Sequence, residues 1–247
     1  MPEPVLGVVG LGRLGEAVAR LCAQEKLTVR RFDSRQPDQW AGLPVPDVLI
    51  DCAAPPAVHH VIDLSERLHV PLVECVSDLG DDHHARLAEL AREVAVVRAT
   101  NLSLGNYLLT RAVEDVARVL RVLERAGITG VMPEAAVLER HPAAKAHRPS
   151  ATATALAAHW TGSAGGPISD ISSLRAGRMV SAHEIRLTWE EQDLTIRHEV
   201  HSLAAAASGA IGVGTWAVGQ APGLYDARTV FDRMLESMSG HHEGVHV

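Results

Sequence analysis

Short apolar runs alternate with amphipathic stretches through the first hundred residues. Val5 to Val9 is apolar, the turn Gly10-Leu11-Gly12-Arg13-Leu14-Gly15 follows, and Glu16 to Gln24 then carries Val18, Leu21 and Cys22 at helical spacing. That order predicts a strand, a glycine turn and a helix. Further strands are predicted at Leu27 to Phe32, ending in Asp33, and at Val48 to Ile50, ending in Asp51-Cys52. A helix over Ala57 to Leu68 starts just past Pro55-Pro56, where proline suits a first turn. Pro71 to Val76 and Val94 to Arg98 read as strands around a helix at Asp81 to Arg92. Strands alternating with helices of about 10–15 residues predict a parallel, doubly wound sheet, an α/β fold of Rossmann type.

The rhythm changes after Asn101. Tyr107 to Glu124 reads as one long helix with an apolar stripe from Leu108 to Leu123. Ala135 to Glu139 is a strand, Ala153 to Trp160 a helix, and Gly162 to Pro167 a loop. Ile171 to Ala176, Ser181 to Trp189 and Asp193 to Val200 follow as strands joined by short turns, which predicts a second, mainly antiparallel sheet. Gly209 to Gly219 and Thr229 to Leu235 close the chain as helices before a polar tail, Gly240 to Val247.

Composition narrows the function classes. The 247 residues suffice for one large or two modest domains. Hydrophobic residues make up 47%, which supplies a real core and excludes disorder. A net charge of -7 gives no footprint for nucleic acid or anionic membrane, so neither is expected as a partner. No apolar run approaches the roughly 20 residues that span a bilayer, and the first residues lack a basic leader. A soluble, cytoplasmic protein is the expectation. Cys22, Cys52 and Cys75 are too few and too far apart for a disulfide scaffold or a four-cysteine zinc site; reduced, buried thiols are expected.

Two segments carry chemistry. In the first, Gly10 permits a tight turn, Gly12 admits a pyrophosphate close to the backbone, and Gly15 allows helix–strand contact. The helix beyond offers unpaired N–H groups and the positive end of its dipole. Asp33 ends the second strand where an acid would hold the adenosine ribose. Arg30, Arg31 and Arg35 crowd the same spot and could hold a 2′-phosphate, so NADH and NADPH both stay open. The second segment runs from Glu139 to Ala153. His141 and Lys145 stand four apart, and Ser150 and Thr152 open a helix whose first N–H groups would bind a carboxylate. Lys145 adds positive charge, and His141 could donate a proton near neutral pH.

Glu139 to Ala153 resembles the E-x-H-H-x-x-K-x-D-A-P-S-G-T-A signature of the 4-hydroxy-tetrahydrodipicolinate reductase (dihydrodipicolinate reductase) family. The resemblance runs along nearly the whole chain, in order. Gly12-Arg13-Leu14-Gly15 is similar to G-R-M-G, and Asn101-Leu102-Ser103-Leu104-Gly105 to N-F-S-x-G. Leu174-Arg175-Ala176-Gly177, Ala182-His183-Glu184 and Gly223-Leu224-Tyr225-Asp226 are similar to R-A-G, G-E-H and G-L-F/Y-D segments. The resemblance implies a split Rossmann domain (1–104 and 205–247), completed by the C-terminal residues. It also implies a smaller α+β domain (105–204) with a mixed four-stranded sheet that builds a homotetramer. It implies hydride transfer from NADH or NADPH to a cyclic carboxylated imine in lysine (diaminopimelate) biosynthesis, with the ring between the domains. Mapped by motif, His141 and Lys145 are the catalytic pair, and Lys145, Ser150, Ala151 and Thr152 bind substrate. Gly10, Gly12, Arg13, Leu14, Gly15, Asp33, Arg35, Cys75, Ser77 and Asn101 line the cofactor; no metal is implied.

The chain departs from that pattern at several points. Pro142 replaces the second histidine, His147-Arg148 an Asp-Ala pair, and Ala151 a glycine, where a positive φ would be strained. Cys75-Val76-Ser77-Asp78 stands in place of G-T-T-G, with a new carboxylate at Asp78, and Leu203 stands in place of an arginine. A paralogue acting on another cyclic imino acid and a non-catalytic dinucleotide-binding relative are therefore the alternatives. The remaining candidates read as structural: His59-His60 and His83-His84 as solvated helix faces, His241-His242 with His246 as a loose tail, and Asp170 and Glu190-Glu191 as edge and turn charges. Trp160, Trp189 and Trp216 read as core anchors.

Overall fold

A computed structural model of the chain describes residues 3–77, 79–99, 101–164, 166–178 and 181–239. Asp78 and the histidines of the tail lie outside them. The chain divides into two compact units, residues 1–103 with 203–247, and residues 104–202.

The first unit is built on six parallel strands: β1 (Leu6–Val9), β2 (Val29–Phe32), β3 (Val48–Asp51), β4 (Leu72–Glu74), β5 (Ala95–Arg98) and β10 (Gly223–Asp226), in the order β10-β5-β4-β3-β1-β2. Strands buried on both faces need continuous apolar runs, which is what β1, β3 and β5 supply. On one face lie α1 (Arg13–Gln24) and α6 (Ala204–Ala217), packed over Leu6, Val8, Ile50, Val73 and Val97. On the other lie α2 (Val58–Leu68) and α3 (Asp81–Leu90), over Val9, Leu49, Leu72 and Val96. Alternate residues of each strand thus serve opposite helix layers. Strand order reverses between β1 and β3, so the carboxyl ends of these two strands flank the crevice where such sheets take ligands.

The second unit has α4 (Leu104–Arg125), β6 (Glu134–His141), α5 (Ala151–Ala164), β7 (Ile168–Arg175), β8 (Ser181–Thr188) and β9 (Asp193–Val200). The sheet order is β7-β6-β8-β9, with β6 and β7 parallel and the other two pairings antiparallel. The parallel pair is possible because α5 provides the crossover that a hairpin cannot. Leu109, Val113 and Leu120 of α4 and Leu156 and Trp160 of α5 bury one face of this sheet against Ala135, Val137, Ile185 and Leu187.

Several sequence expectations need correction. Gly223–Asp226 is a strand, β10, which four residues with a glycine did not announce. Helix α6 begins at Ala204 rather than Gly209, because the alanine run is a good helix former. Cys52 and Cys75 are only half-buried, whereas Cys22 is buried. His60 is exposed as expected, and His59 and His83 are half-buried, with their rings stacked at 4.5 Å and His59 Nε2 3.1 Å from Asp82. Trp160 is a core residue, but Trp189 and Trp216 are half-buried, while Trp40, which the sequence did not single out, is buried against Phe32. Among the described residues, no helix is long and apolar enough to cross a membrane.

Candidate active site

The glycine turn is held by steric necessity at two of its three glycines. Gly10 has φ +85, and a Cβ there would lie 2.5 Å from the backbone of Ala53. A Cβ on Gly15 would lie 1.9 Å from the Gly10 carbonyl oxygen. Gly12 has ordinary φ and open space around it, so nothing in the fold demands glycine there. Gly12 is also the N-cap of α1 and supplies no side-chain cap, and Arg13 and Leu14 open the first turn. An uncrowded glycine beside uncapped amides fits a phosphate group.

At the end of β2, Asp33 accepts hydrogen bonds from Arg35 Nε at 3.0 Å, Arg35 Nη2 at 2.8 Å and the Arg35 amide at 3.0 Å. The guanidinium holds the Asp33 carboxyl down to about 2. Arg31 pairs with Glu16 beside a hollow of about 640 Å³ lined by Arg13, Arg20 and Leu203. Past β5, the Asn101 side chain accepts from the Ser103 amide at 3.0 Å.

The ends of β3 and β4 carry an arrangement that sequence reasoning missed. Asp51 and Glu74 are cross-strand neighbours and both buried. One oxygen of each accepts a loop amide, from Ala53 at 2.8 Å and from Val76 at 2.7 Å. The second oxygen of each, Asp51 Oδ2 and Glu74 Oε2, is buried without a hydrogen-bond partner among the described residues. Burial, followed by the neighbouring Asp51 charge, pushes Glu74 up to about 9; burial raises Asp51 as well. Contact with Cys52, then burial, raises the Cys75 thiol, which is therefore no ready nucleophile. Ser77 is exposed.

In the second unit, strand register gathers the other candidates. Glu139 on β6 lies opposite Ser173 on β7 and His183 on β8, while His141 lies opposite Arg175. Because alternate residues share a face, Glu139, His141, Ser173, Arg175 and His183 all meet on the side covered by α5. Glu139 accepts from Arg175 Nη2 at 2.7 Å, Ser173 Oγ at 2.6 Å and the Ser150 amide at 3.1 Å. Burial raises its carboxyl, but these donors outweigh that and hold it at about 2. His141 Nδ1 is 3.5 Å from Glu139, and His183 Nε2 is 3.2 Å from Ser150 Oγ. Burial lowers both imidazoles, His183 to about 4, which leaves His183 neutral at pH 7. With Glu139 neutralised by Arg175, the half-buried Lys145 has no carboxylate partner among the described residues, which suits an anion.

Ser150 caps α5 by accepting the Ala153 amide at 3.2 Å. Ala151 is the first helical residue and is not among the positive-φ positions, so the strain expected at the glycine replacement does not arise. Thr152 follows in the same first turn. Glu139, His141 and His183 place possible ligand atoms within 4.8 Å of one another. The Arg175 guanidinium on Glu139 opposes a divalent ion there, and the donor set fits an ion pair better than a metal. Sequence reasoning missed Arg175, Ser173 and His183 as members of this cluster; only strand register brings them to it.

The family model described as "Dihydrodipicolinate reductase, C-terminus" matches residues 105–231. A 4-hydroxy-tetrahydrodipicolinate reductase of Halorhodospira halophila is 30% identical over 237 residues, covering 87% of this chain and 84% of that one. One of Xanthomonas euvesicatoria is 30% identical over 234 residues, covering 88% and 92%. Among solved structures, the dipicolinate-bound dihydrodipicolinate reductase from Paenisporosarcina sp. TG-14 superposes with a TM-score of 0.66 at 17% identity, covering 93% of this chain and 100% of that one. The family model spans half of the chain and the relatives span most of it, and this chain belongs to the dihydrodipicolinate reductase family.

Proposed function

We propose that the protein is an NAD(P)H-dependent reductase of a cyclic, carboxylated imine, the lysine-pathway reaction for which its relatives are named. The observation that carries this reading is the loop from His141 to Thr152. It sets a lysine with no ion-pair partner among the described residues, and a serine-capped helix N-terminus, on a buried Glu139–Arg175 pair. The first-turn amides of α5 with Ser150 and Thr152 hold one carboxylate, and Lys145 faces the same anion. Gly10, Gly12, Gly15, Arg13 and Leu14 would hold the dinucleotide pyrophosphate, Asp33 and Arg35 its adenosine end, and Cys75, Ser77 and Asn101 the strand ends near the ring. When bound, the nicotinamide supplies a hydride. Reduction leaves negative charge on the substrate, and Lys145, as the cation of the site, stabilises or protonates it. His141, whose Nδ1 lies 3.5 Å from Glu139 and whose imidazole burial lowers from its ordinary value, is the second proton donor or hydrogen-bonding partner of the site.

A homotetramer is supported by the uncovered face of the second sheet, where Leu138 is 39% and Leu174 54% exposed. A second reading, reduction of a different cyclic imino acid, draws on the Asp51–Glu74 carboxyl pair and Cys75 where the family pattern has G-T-T-G. The deciding experiment makes substrate in the cuvette from pyruvate and aspartate semialdehyde with the preceding synthase, and follows NADH and NADPH oxidation separately. Rapid oxidation by the wild type, lost in Lys145→Ala while dinucleotide binding persists, is expected. Dinucleotide binding without oxidation would move the assignment to another ring.

A further inference from the structure

The loop between β6 and α5 carries Lys145, yet its own backbone holds it weakly. Among the described residues its main-chain bonds are the Pro142–Lys145 turn at 3.0 Å and a long contact from the Ala143 amide to Gly177 at 3.4 Å. The firm contacts come from one side chain of β7. Arg175, with a side chain 1% exposed, donates Nε to the Lys145 carbonyl at 3.0 Å and Nη2 to both the His147 carbonyl and Glu139. Its Nη1 reaches the Leu174 carbonyl at 3.2 Å. The same Glu139 carboxylate takes the Ser150 amide, so one buried ion pair fixes the loop at residues 145, 147 and 150.

We infer that Arg175, oriented by Glu139, is the positioning residue that sets where Lys145 stands relative to the anion-binding end of α5. The inference rests on the reading of this loop as the substrate-carboxylate site. A guanidinium has the planar fork to hold two carbonyls and a carboxylate together; an ammonium is a point charge and does not. Arg175 grips the carbonyls of Lys145 and His147, which every residue has, so the side chain at 147 is free to vary. That accounts for His147 standing where the family signature has Asp. It also separates two jobs within one loop. Ser150 keeps its cap through Ala153 whatever happens at Arg175, whereas Lys145 loses its backbone anchor.

The test uses full-length Arg175→Lys and Arg175→Ala beside the wild type. Hydrogen–deuterium exchange should quicken over residues 142–149 and stay unchanged over α5. In Arg175→Lys, kcat/KM for the cyclic imine should fall about 100-fold, the scale expected when a reacting group is misplaced by about 1 Å, with dinucleotide Kd unchanged. Millimolar guanidinium ion should restore turnover to Arg175→Ala, a rescue that a general loss of folding would not show. Wild-type exchange in the loop, or full turnover in Arg175→Lys, would overturn the inference. If the wild type itself does not turn over the imine, the functional reading fails, and the exchange rates alone decide whether Arg175 holds the loop.

Discussion

Replacing Glu74 by glutamine should make the protein more stable, and increasingly so as the pH rises. In the folded chain the Asp51–Glu74 pair keeps a proton, because burial and the neighbouring carboxylate push Glu74 from 4.5 to about 9. In the unfolded chain that proton leaves near pH 4.5. The sign follows from the proton count: the folded state binds more protons than the unfolded state in this window, so stability falls as pH increases. The cost to the folded state grows with each pH unit above 4.5 and reaches a few kcal/mol, on the order of 3, at pH 7. The glutamine side chain in Glu74→Gln would still accept the Val76 amide and would donate to Asp51 without needing a proton. Urea unfolding followed by circular dichroism at pH 5, 7 and 8.5 gives the comparison. Between pH 7 and 8.5 the wild type should lose about 2 kcal/mol more than Glu74→Gln. Parallel pH profiles for the two proteins would show that the pair holds no proton, and the argument from burial would be refuted.

The other predictions use single sites. Gly12→Ala should leave the unfolding midpoint unchanged yet weaken dinucleotide binding, because a Cβ there meets no protein atom; Gly15→Ala, whose Cβ would strike the Gly10 carbonyl, should cost about 3 kcal/mol in urea unfolding. Asp33→Ala should release Arg35 and shift the NADPH-to-NADH ratio of kcat/KM upward about tenfold, the scale of one charge-assisted hydrogen bond. Burial lowers His183 from 6.5 to about 4, so the unfolded chain takes up a proton that the folded one refuses. Stability should fall by about 2 kcal/mol between pH 7 and pH 5 from this group, a loss absent in His183→Gln.

The sequence by itself determined the local chemistry. Apolar runs broken by turns were enough to place β1, β3 and β5, the glycine turn, and the long helix α4, since periodicity depends only on near neighbours. It also displayed His141, Lys145, Ser150 and Thr152 as one segment, because these residues lie within twelve positions of one another. What it could not display is what strand pairing brings together. β10 is a four-residue strand that exists because the edge of β5 offers it hydrogen bonds. Glu74 meets Asp51, and Arg175 meets Glu139, across 23 and 36 positions of chain, through the registers of β3 with β4 and of β6 with β7. Burial then decides the protonation of each group: it leaves Glu139 ionised where donors surround it and keeps a proton on Glu74 where they do not. Solvent exclusion and cross-strand distance are properties of the packed sheet, and no spacing along the chain encodes them.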